Sequence, residues 1–500
     1  MSEKMNFLFI ITDQQRRDHL SCYGNPVLKT PNIDGIANEG VRFNKYFCNT
    51  PICMPNRANF FTGTYPSVHG TRSNGINLNP EVPVISEILR KRGYHTVNVG
   101  KMHFNFFGRP QSRKVVSMEN IIEWSHGNLN SKNFPSPYYG FNEVYSAIGH
   151  GDVMSGHYAE WLAEKGWDQH EFLLKNPLRI NEYYCETEMS EEIYPTTYIT
   201  NKTIEYLERH VNEDNGDKPF FLHCSYPDPH QPVCPPGKYK DLYKPEDVEL
   251  PGNFNDVENL LKHEFIGPHI KDARFKVILP QIVSEEQAKI FTALTFGSIT
   301  MIDDGVGSIL RKLEELGLAD NTMVIFTSDH GDYCGDHGLI MKGPAHYRGI
   351  TNMPLLWKIP GMTESSISDS LISTVDLPKT ILNLLGIRKK YHPEVFQGYD
   401  ATPILKNPDA KIRDRVLIEH DEEIAKDKIM RVRTLVTEQH RITIYDGHNN
   451  IGDLFDLKND PDEIVNLWNS HKDLRNELLE KLLREIVNLR PRFPKRAAYN

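Results

Sequence analysis

The sequence predicts an α/β protein: a large mixed, mostly parallel sheet sandwiched by helices, followed by a smaller C-terminal α+β part with an antiparallel sheet. Three observations carry this expectation. Short apolar runs at residues 6–12, 95–99, 219–225, 323–327 and 354–359 read as parallel strands buried on both faces. Helical patterns lie between them: 83–92 places Val84, Ile88 and Leu89 on one face, and 300–316 spaces Ile309, Leu310, Leu313 and Leu316 before Gly317. Alternation of the two patterns is the signature of a layered α/β core.

After residue 400 the pattern changes. Segments 433–435 and 441–445 read as strands joined at Glu438-Gln439-His440, and 473–489 reads as a helix carrying Leu478, Leu479, Leu482, Leu483 and Ile486. The expected division is a large α/β domain over 1–400 and a C-terminal subdomain over 401–500. Residues 105–195, rich in Asn, Ser, Tyr and His, are expected to form irregular insertions over the sheet edge. The Pro-rich stretch 227–251 reads as a long loop, a type that often carries function. The basic tail 490–496 reads as a solvated end.

Composition narrows the function classes. Hydrophobic residues at 39% and charged residues at 25% describe an ordinary globular protein. A net charge of -10 argues against nucleic-acid binding, which needs a basic surface. Seven cysteines, at 22, 48, 53, 185, 224, 234 and 334, form no disulfide framework, and their odd count favours reduced thiols in the cytoplasm. The run Phe7–Ile11 is too short for a signal peptide, and no run is long enough to cross a bilayer, so no membrane partner is expected. The sequence leaves the oligomeric state open.

The chemistry gathers at strand ends, where open α/β sheets bind ligands. Asp13-Gln14 follows the first run, Lys101 and His103 the second, His230 the third and Asp329-His330 the fourth. Asp13, Gln14, Asp329 and His330, with Cys53, make a cage for one divalent metal ion, Ca²⁺ first, with Mn²⁺, Mg²⁺ and Zn²⁺ as alternatives. A competing zinc pattern of His330, Cys334, Asp336 and His337 lacks a second cysteine at suitable spacing. Arg57, Lys101, His103, His230 and Lys342 form a local cationic cleft in an acidic protein, which suits a small anionic substrate.

Cys53-Met54-Pro55-Asn56-Arg57 is the most specific stretch. Pro55 can open a helix, placing Cys53 just ahead of an anion-attracting N-terminus, and Arg57 can reach back one turn later. Three residues separate the cysteine and arginine, whereas protein tyrosine phosphatases have five. The stretch continues Ala58-Asn59-Phe60-Phe61-Thr62-Gly63. Together with Gly100-Lys101-Met102-His103, Pro229-His230-Gln231-Pro232, Thr327-Ser328-Asp329-His330-Gly331 and Lys342-Gly343, it resembles the sulfatases of the alkaline phosphatase superfamily over essentially the whole chain.

The resemblance implies that a maturation enzyme converts Cys53 to formylglycine, whose hydrate attacks the sulfur of a sulfate monoester. It implies that Arg57 and the metal hold the hydrate, and that Lys101 and Lys342 clamp sulfate oxygens. His103 then assists collapse of the sulfated intermediate, and His230 protonates the leaving oxygen. Gln14 and His330 stand where many sulfatases have Asp and Asn, which leaves the metal's identity open. Lys101 and His103 favour sulfate esters over phosphonate monoesters and phosphodiesters, the alternative on this scaffold. A second alternative is a non-catalytic anion-binding or redox protein with an unmodified Cys53. Asn74, His150, His346 and Arg348 are the candidates to contact the organic group, a sulfated carbohydrate first and a small organic sulfate such as choline sulfate second.

Overall fold

The structure, a computed structural model, describes residues 4–110, 115–175, 182–212, 218–271, 280–425 and 428–489; the tail 490–496 lies outside them. An eight-stranded sheet forms the centre. Its strands are β1 (Asn6–Thr12), β2 (Val41–Phe43), β3 (His95–Gly100), β4 (Glu143–Ser146), β5 (Phe220–Ser225), β6 (Thr322–Ser328), β7 (Leu355–Lys358) and β8 (Ser366–Ser368). Their order is β8-β2-β7-β6-β1-β5-β3-β4. Every residue of β1, β5 and β6 is buried, as strands covered on both faces require. One apolar layer gathers around Phe9, Phe61, Phe221 and Trp357, the other around Leu8, Leu222, Ile302 and Phe326.

Five of the expected runs form strands of this sheet, with one correction of direction. β7 pairs antiparallel with β6, although it reads as parallel. A parallel return needs a crossover, usually a helix of a dozen residues or more with its loops. The connection between β6 and β7 holds only one turn of α-helix, Arg348–Thr351, so the chain comes back the opposite way. The stretch 105–195 is likewise more regular than its composition implies: β4 extends the main sheet, and a hairpin (Ile148–His150 with Val153–Ser155) follows it.

Helices of this part include α1 (Cys53–Thr62), which carries Cys53 and Arg57, α2 (Ile85–Lys91), α3 (Pro195–Asn212), α4 (Glu285–Glu315) and α5 (Asp376–Leu384). α4 starts well before residue 300 because Ser284 and Gln287 form a reciprocal capping box. A second sheet, β9 (Arg415–Ala425), β10 (Lys428–Thr437), β11 (His440–Tyr445) and β12 (Gly452–Asp456), is antiparallel throughout. Helix α6 (Lys472–Asn488) packs its Leu478 and Leu482 on this sheet. Among the described residues, no helix is long and apolar enough to cross a membrane.

Candidate active site

β1 and β6 pair in parallel with Thr12 opposite Ser328, so Asp13 and Asp329 leave the sheet side by side. The backbone fixes them there. Asp329 N donates to Thr12 O at 3.1 Å, and Asp13 N donates to Asp228 O at 3.2 Å. Asp329 Oδ1 accepts the N–H groups of Gln14 and His330 at 3.0 and 2.9 Å. β3 delivers Lys101 through Gly100, where φ is +98° and an added Cβ would lie 2.0 Å from Ser225 O. Only glycine fits that approach.

Helix α1 supplies the fourth component, with a small correction. It opens at Cys53 rather than Pro55. Proline costs nothing at the third position either, because none of the first four N–H groups of a helix has an intrahelical partner. Asn74 Oδ1 accepts the Met54 N–H at 3.1 Å, so this expected substrate contact serves the first turn of α1. All ten residues of the helix are buried, which locks Cys53 in place.

The side chains converge. Cys53 Sγ lies 3.0 Å from Lys342 Nζ, 3.1 Å from His330 Nε2 and 3.8 Å from Asp13 Oδ1. Lys342 Nζ also donates to Gln14 Oε1 at 2.8 Å and stands 3.1 Å from His230 Nε2. Lys101 Nζ donates to Asp13 Oδ2 and lies 2.6 Å from His150 Nε2. The His150 and His230 rings stack at 3.7 Å. His103 is buried, stacks on Phe107 at 3.8 Å, and leaves Nδ1 without a hydrogen-bond partner among the described residues.

Arg57 turns out to organise the cage. Its Nε donates to Asp329 Oδ2 at 2.8 Å, and its Nη1 donates to Lys101 O at 3.0 Å and Ser225 Oγ at 2.9 Å. This side chain, 1% exposed, ties α1 to β3, β5 and β6 at once. Gln14, His103 and Met341, the last just before Lys342, have left-handed backbones with φ of 64°, 59° and 73°. Each costs roughly 1–2 kcal/mol in a non-glycine residue, strain of the kind that gathers at functional sites.

Electrostatics follow from burial and these neighbours. Burial opposes ionisation of Asp13, but Lys101, with Arg57 and Lys342, holds its carboxyl well below the usual range. Burial and Asp13 push the Cys53 thiol up, yet Lys342, His330 and Lys101 outweigh them and lower it. Burial, then Lys101 and His150, push His103 well down. Burial, then His150 and Lys342, do the same to His230. Both imidazoles are therefore neutral when no anion is present.

The donors fit a divalent ion. One ligand atom each from Asp13, Cys53, Asp329 and His330 lies within 4.8 Å of the others. His330 Nδ1 faces Gly331 O at 2.9 Å, which keeps a proton on that nitrogen and turns Nε2 towards the cage, where an ion could replace its proton. Lys342 Nζ, on Gln14 Oε1 and beside His330 Nε2, marks a spot where a positive charge is already accepted. The rival zinc pattern is dispersed: Asp336 accepts from Arg16 at 2.8 Å, and His337 Nδ1 lies 2.8 Å from Asp256.

The structure places two expected substrate contacts away from Cys53. His346 is fully buried, 2.8 Å from Thr434 Oγ1 and stacked on His420 of the second sheet. Arg348 donates its main-chain N–H to Glu463 at 2.7 Å and lines a cavity of about 420 Å³ with Arg16, Arg17 and Asn253. None of the residues around Cys53 lines that cavity. His150, by contrast, does reach the cluster.

Several contributors escape sequence reasoning. Gln14 Nε2 donates to Gln231 Oε1 and Asp332 Oδ2, each at 2.6 Å, which turns Gln14 Oε1 inward. Asn56 Nδ2 donates to Asp329 O. Glu119 Oε2 accepts the His103 N–H at 2.6 Å. Glu422 accepts from Ser73 Oγ at 2.9 Å, and burial raises it to about 7 despite an opposing pull from Lys342. Gln231 and Asp332 lie one and three residues from His230 and Asp329, the only local signal available. Glu119 and Glu422 have none.

Comparison with known proteins gives the family. The profile described as Sulfatase matches residues 5–387, and that described as N-sulphoglucosamine sulphohydrolase, C-terminal, matches 335–491. An arylsulfatase of Clostridium perfringens is 30% identical, covering 97% of this chain and 94% of its own length. An N-acetylglucosamine-6-O-sulfatase of Bacteroides thetaiotaomicron is 23% identical over 93% of this chain and 83% of its own. The solved phosphonate monoester hydrolase of Agrobacterium radiobacter superposes with a TM-score of 0.79 at 23% identity, covering 97% and 96% of the two chains. At that identity the last likeness shows the fold alone.

Proposed function

This chain belongs to the sulfatase family of the alkaline phosphatase superfamily and is a sulfuric ester hydrolase; from that premise we propose that it cleaves sulfate monoesters of carbohydrates with Cys53 converted to formylglycine. The carrying observation is the convergence on Cys53 Sγ, which stands in for a hydroxyl of the hydrated aldehyde. Lys342 Nζ, His330 Nε2 and Asp13 Oδ1 all lie within 3.8 Å of it. A thiol pulled below its ordinary pKa marks a place that favours an anionic nucleophile.

Asp13, Gln14, Asp329 and His330 would hold one divalent ion, Ca²⁺ in the first instance, which polarises the sulfate and lowers the pKa of the attacking hydroxyl. Lys101 and Lys342 bind sulfate oxygens and offset the charge that builds on them. Arg57 positions Asp329 and the Lys101 backbone. His230, neutral in the free enzyme, gains proton affinity when the anionic ester binds and delivers its proton to the leaving oxygen. His103 has its Nδ1 unpartnered among the described residues and takes the proton of the second hydroxyl, so the sulfated intermediate collapses to aldehyde and releases sulfate.

The relative acting on N-acetylglucosamine-6-sulfate and the match to a sulphoglucosamine sulphohydrolase C-terminal part support a sulfated sugar over a small alkyl sulfate. The odd count of seven cysteines supports a reducing, cytoplasmic setting. The test is co-expression with a formylglycine-generating enzyme, peptide mass spectrometry at residue 53, and metal analysis. Sulfate release is then measured on sulfated sugars, choline sulfate, an aryl sulfate and an aryl phosphonate. Faster turnover of the phosphonate would move the chain to the phosphonate hydrolase reading, and an intact thiol in fully active enzyme would refute the mechanism.

A further inference from the structure

A second group of metal-ligating side chains lies within a few residues of His150 and His230 in the chain. Asp152 sits at the turn of the hairpin formed by Ile148–His150 and Val153–Ser155. Cys185 and Cys234 come from two extended segments that run side by side: Cys185 N donates to Val233 O at 3.2 Å, Val233 N donates to Tyr183 O at 2.9 Å, and Tyr184 bridges Val233 in parallel. A carboxylate oxygen of Asp152 and the two Sγ atoms lie within 4.8 Å of one another. Asp152 and Cys234 are buried, while Cys185 lines a cavity of about 490 Å³ with Tyr184, Lys240 and Leu294, which gives an entry path.

We propose that Asp152, Cys185 and Cys234 form a second metal site, for Zn²⁺, separate from the cage at Cys53. Two thiolates and a carboxylate are a zinc donor set, with water as the fourth ligand. Zinc–sulfur bonds of about 2.3 Å in a tetrahedron put sulfur atoms roughly 3.8 Å apart, so the two sulfurs need to close by about 1 Å at most. A disulfide would demand contraction to about 2.05 Å, a far larger movement. Binding releases the two thiol protons to solvent, and no redox step is involved.

The site would join the hairpin turn at Asp152 to the paired segments that carry Cys185 and Cys234. Gly151 allows the close approach, since an added Cβ would lie 2.5 Å from Pro232 O and 3.1 Å from Cys234 Sγ. His150 is two residues from Asp152 and His230 is four from Cys234, so zinc would brace the two stacked rings. Its role is positioning; it does not touch the substrate.

The experiment uses full-length Cys53→Ala protein, which lacks the thiol of the other cage, in chelator-treated buffer with Cd²⁺ as probe. The expected result is a thiolate-to-cadmium absorption band that saturates at one equivalent and disappears in Cys185→Ser and in Cys234→Ser. Zinc analysis of protein as isolated should show one ion per chain beyond any ion at the Cys53 cage, lost in the Cys185→Ser/Cys234→Ser variant. Asp152→Asn, which keeps both thiols and the side-chain volume, should weaken cadmium binding with an unchanged circular dichroism spectrum. A band that persists in both serine variants, the absence of any band, or a Cys185–Cys234 disulfide in protein alkylated at lysis would each overturn the proposal. Loss of both sulfatase activity and metal at the Cys53 cage would leave these thiolate readouts unaffected, so the two readings fail separately.

Discussion

Glu119 Oε2 accepts the main-chain N–H of His103 at 2.6 Å, and Oε1 of the same carboxylate accepts from Phe104 and Asn105 at 3.0 Å each. This grip holds His103 in its left-handed conformation with the ring against Phe107. In Glu119→Gln, the amide nitrogen faces N–H donors and cannot accept, so at least one buried N–H loses its partner at a cost of roughly 1–3 kcal/mol. Turnover should fall about tenfold or more and KM should fall with it, leaving kcat/KM nearly unchanged, because His103 serves the breakdown step. Steady-state kinetics on an aryl sulfate checks this.

The same residue carries a pH signature. Burial raises Glu119 from 4.5 to about 7, against the pull of its backbone partners. Between those values the folded state binds more protons than the unfolded one, so stability falls as pH rises through the window. The full effect is on the order of 3 kcal/mol. Urea melts at pH 5 and pH 8 should show the parent's advantage over Glu119→Gln shrinking as pH rises; a constant gap would rule this out.

Cys53→Ser keeps an oxygen nucleophile but has no geminal hydroxyl with which to expel sulfate. The variant should transfer one sulfate to itself and stall. Intact mass spectrometry after incubation with substrate should then show a single SO₃ increment, and Cys53→Ala should show none with the same fold.

Arg57→Lys retains the charge but loses the fork that joins Asp329, Ser225 and the Lys101 carbonyl. Removing one partner of a buried ion pair typically costs about 3–5 kcal/mol, and a shorter-reaching cation recovers only part of that. Thermal melts should show a marked drop in midpoint, and turnover should fall further than stability alone explains because Asp329 is released.

Chelation should leave the protein folded, since Lys101 and Arg57 continue to compensate Asp13 and Asp329. Turnover should nevertheless be lost and the thermal midpoint lowered. Restoring the ion at about 100 times its Kd should return about 2.7 kcal/mol. Calorimetry with Ca²⁺, Mn²⁺, Mg²⁺ and Zn²⁺ ranks the ions, and a chelated enzyme of full activity would refute the metal assignment.

The placement of Asp13, Lys101, His230 and Asp329 was legible from the chain, because apolar runs buried on both faces must end where polar residues begin. Cys53 was legible through its motif. The direction of β7 was not, since periodicity is the same in parallel and antiparallel strands. Nor were the destinations of His346 and Arg348, which follow Lys342 in sequence yet meet Thr434, His420 and Glu463.

By itself the sequence determined which residues sit at the strand ends and what chemistry they offer, because burial and local spacing act within a few residues. Only the tertiary structure decided which of them touch: that Arg57 braces Asp329, that Gln231 and Asp332 turn Gln14 inward, and that Glu119 holds His103. Those contacts join side chains far apart in the chain or turned by a fold not yet formed, and no short-range pattern encodes the packing that brings them together.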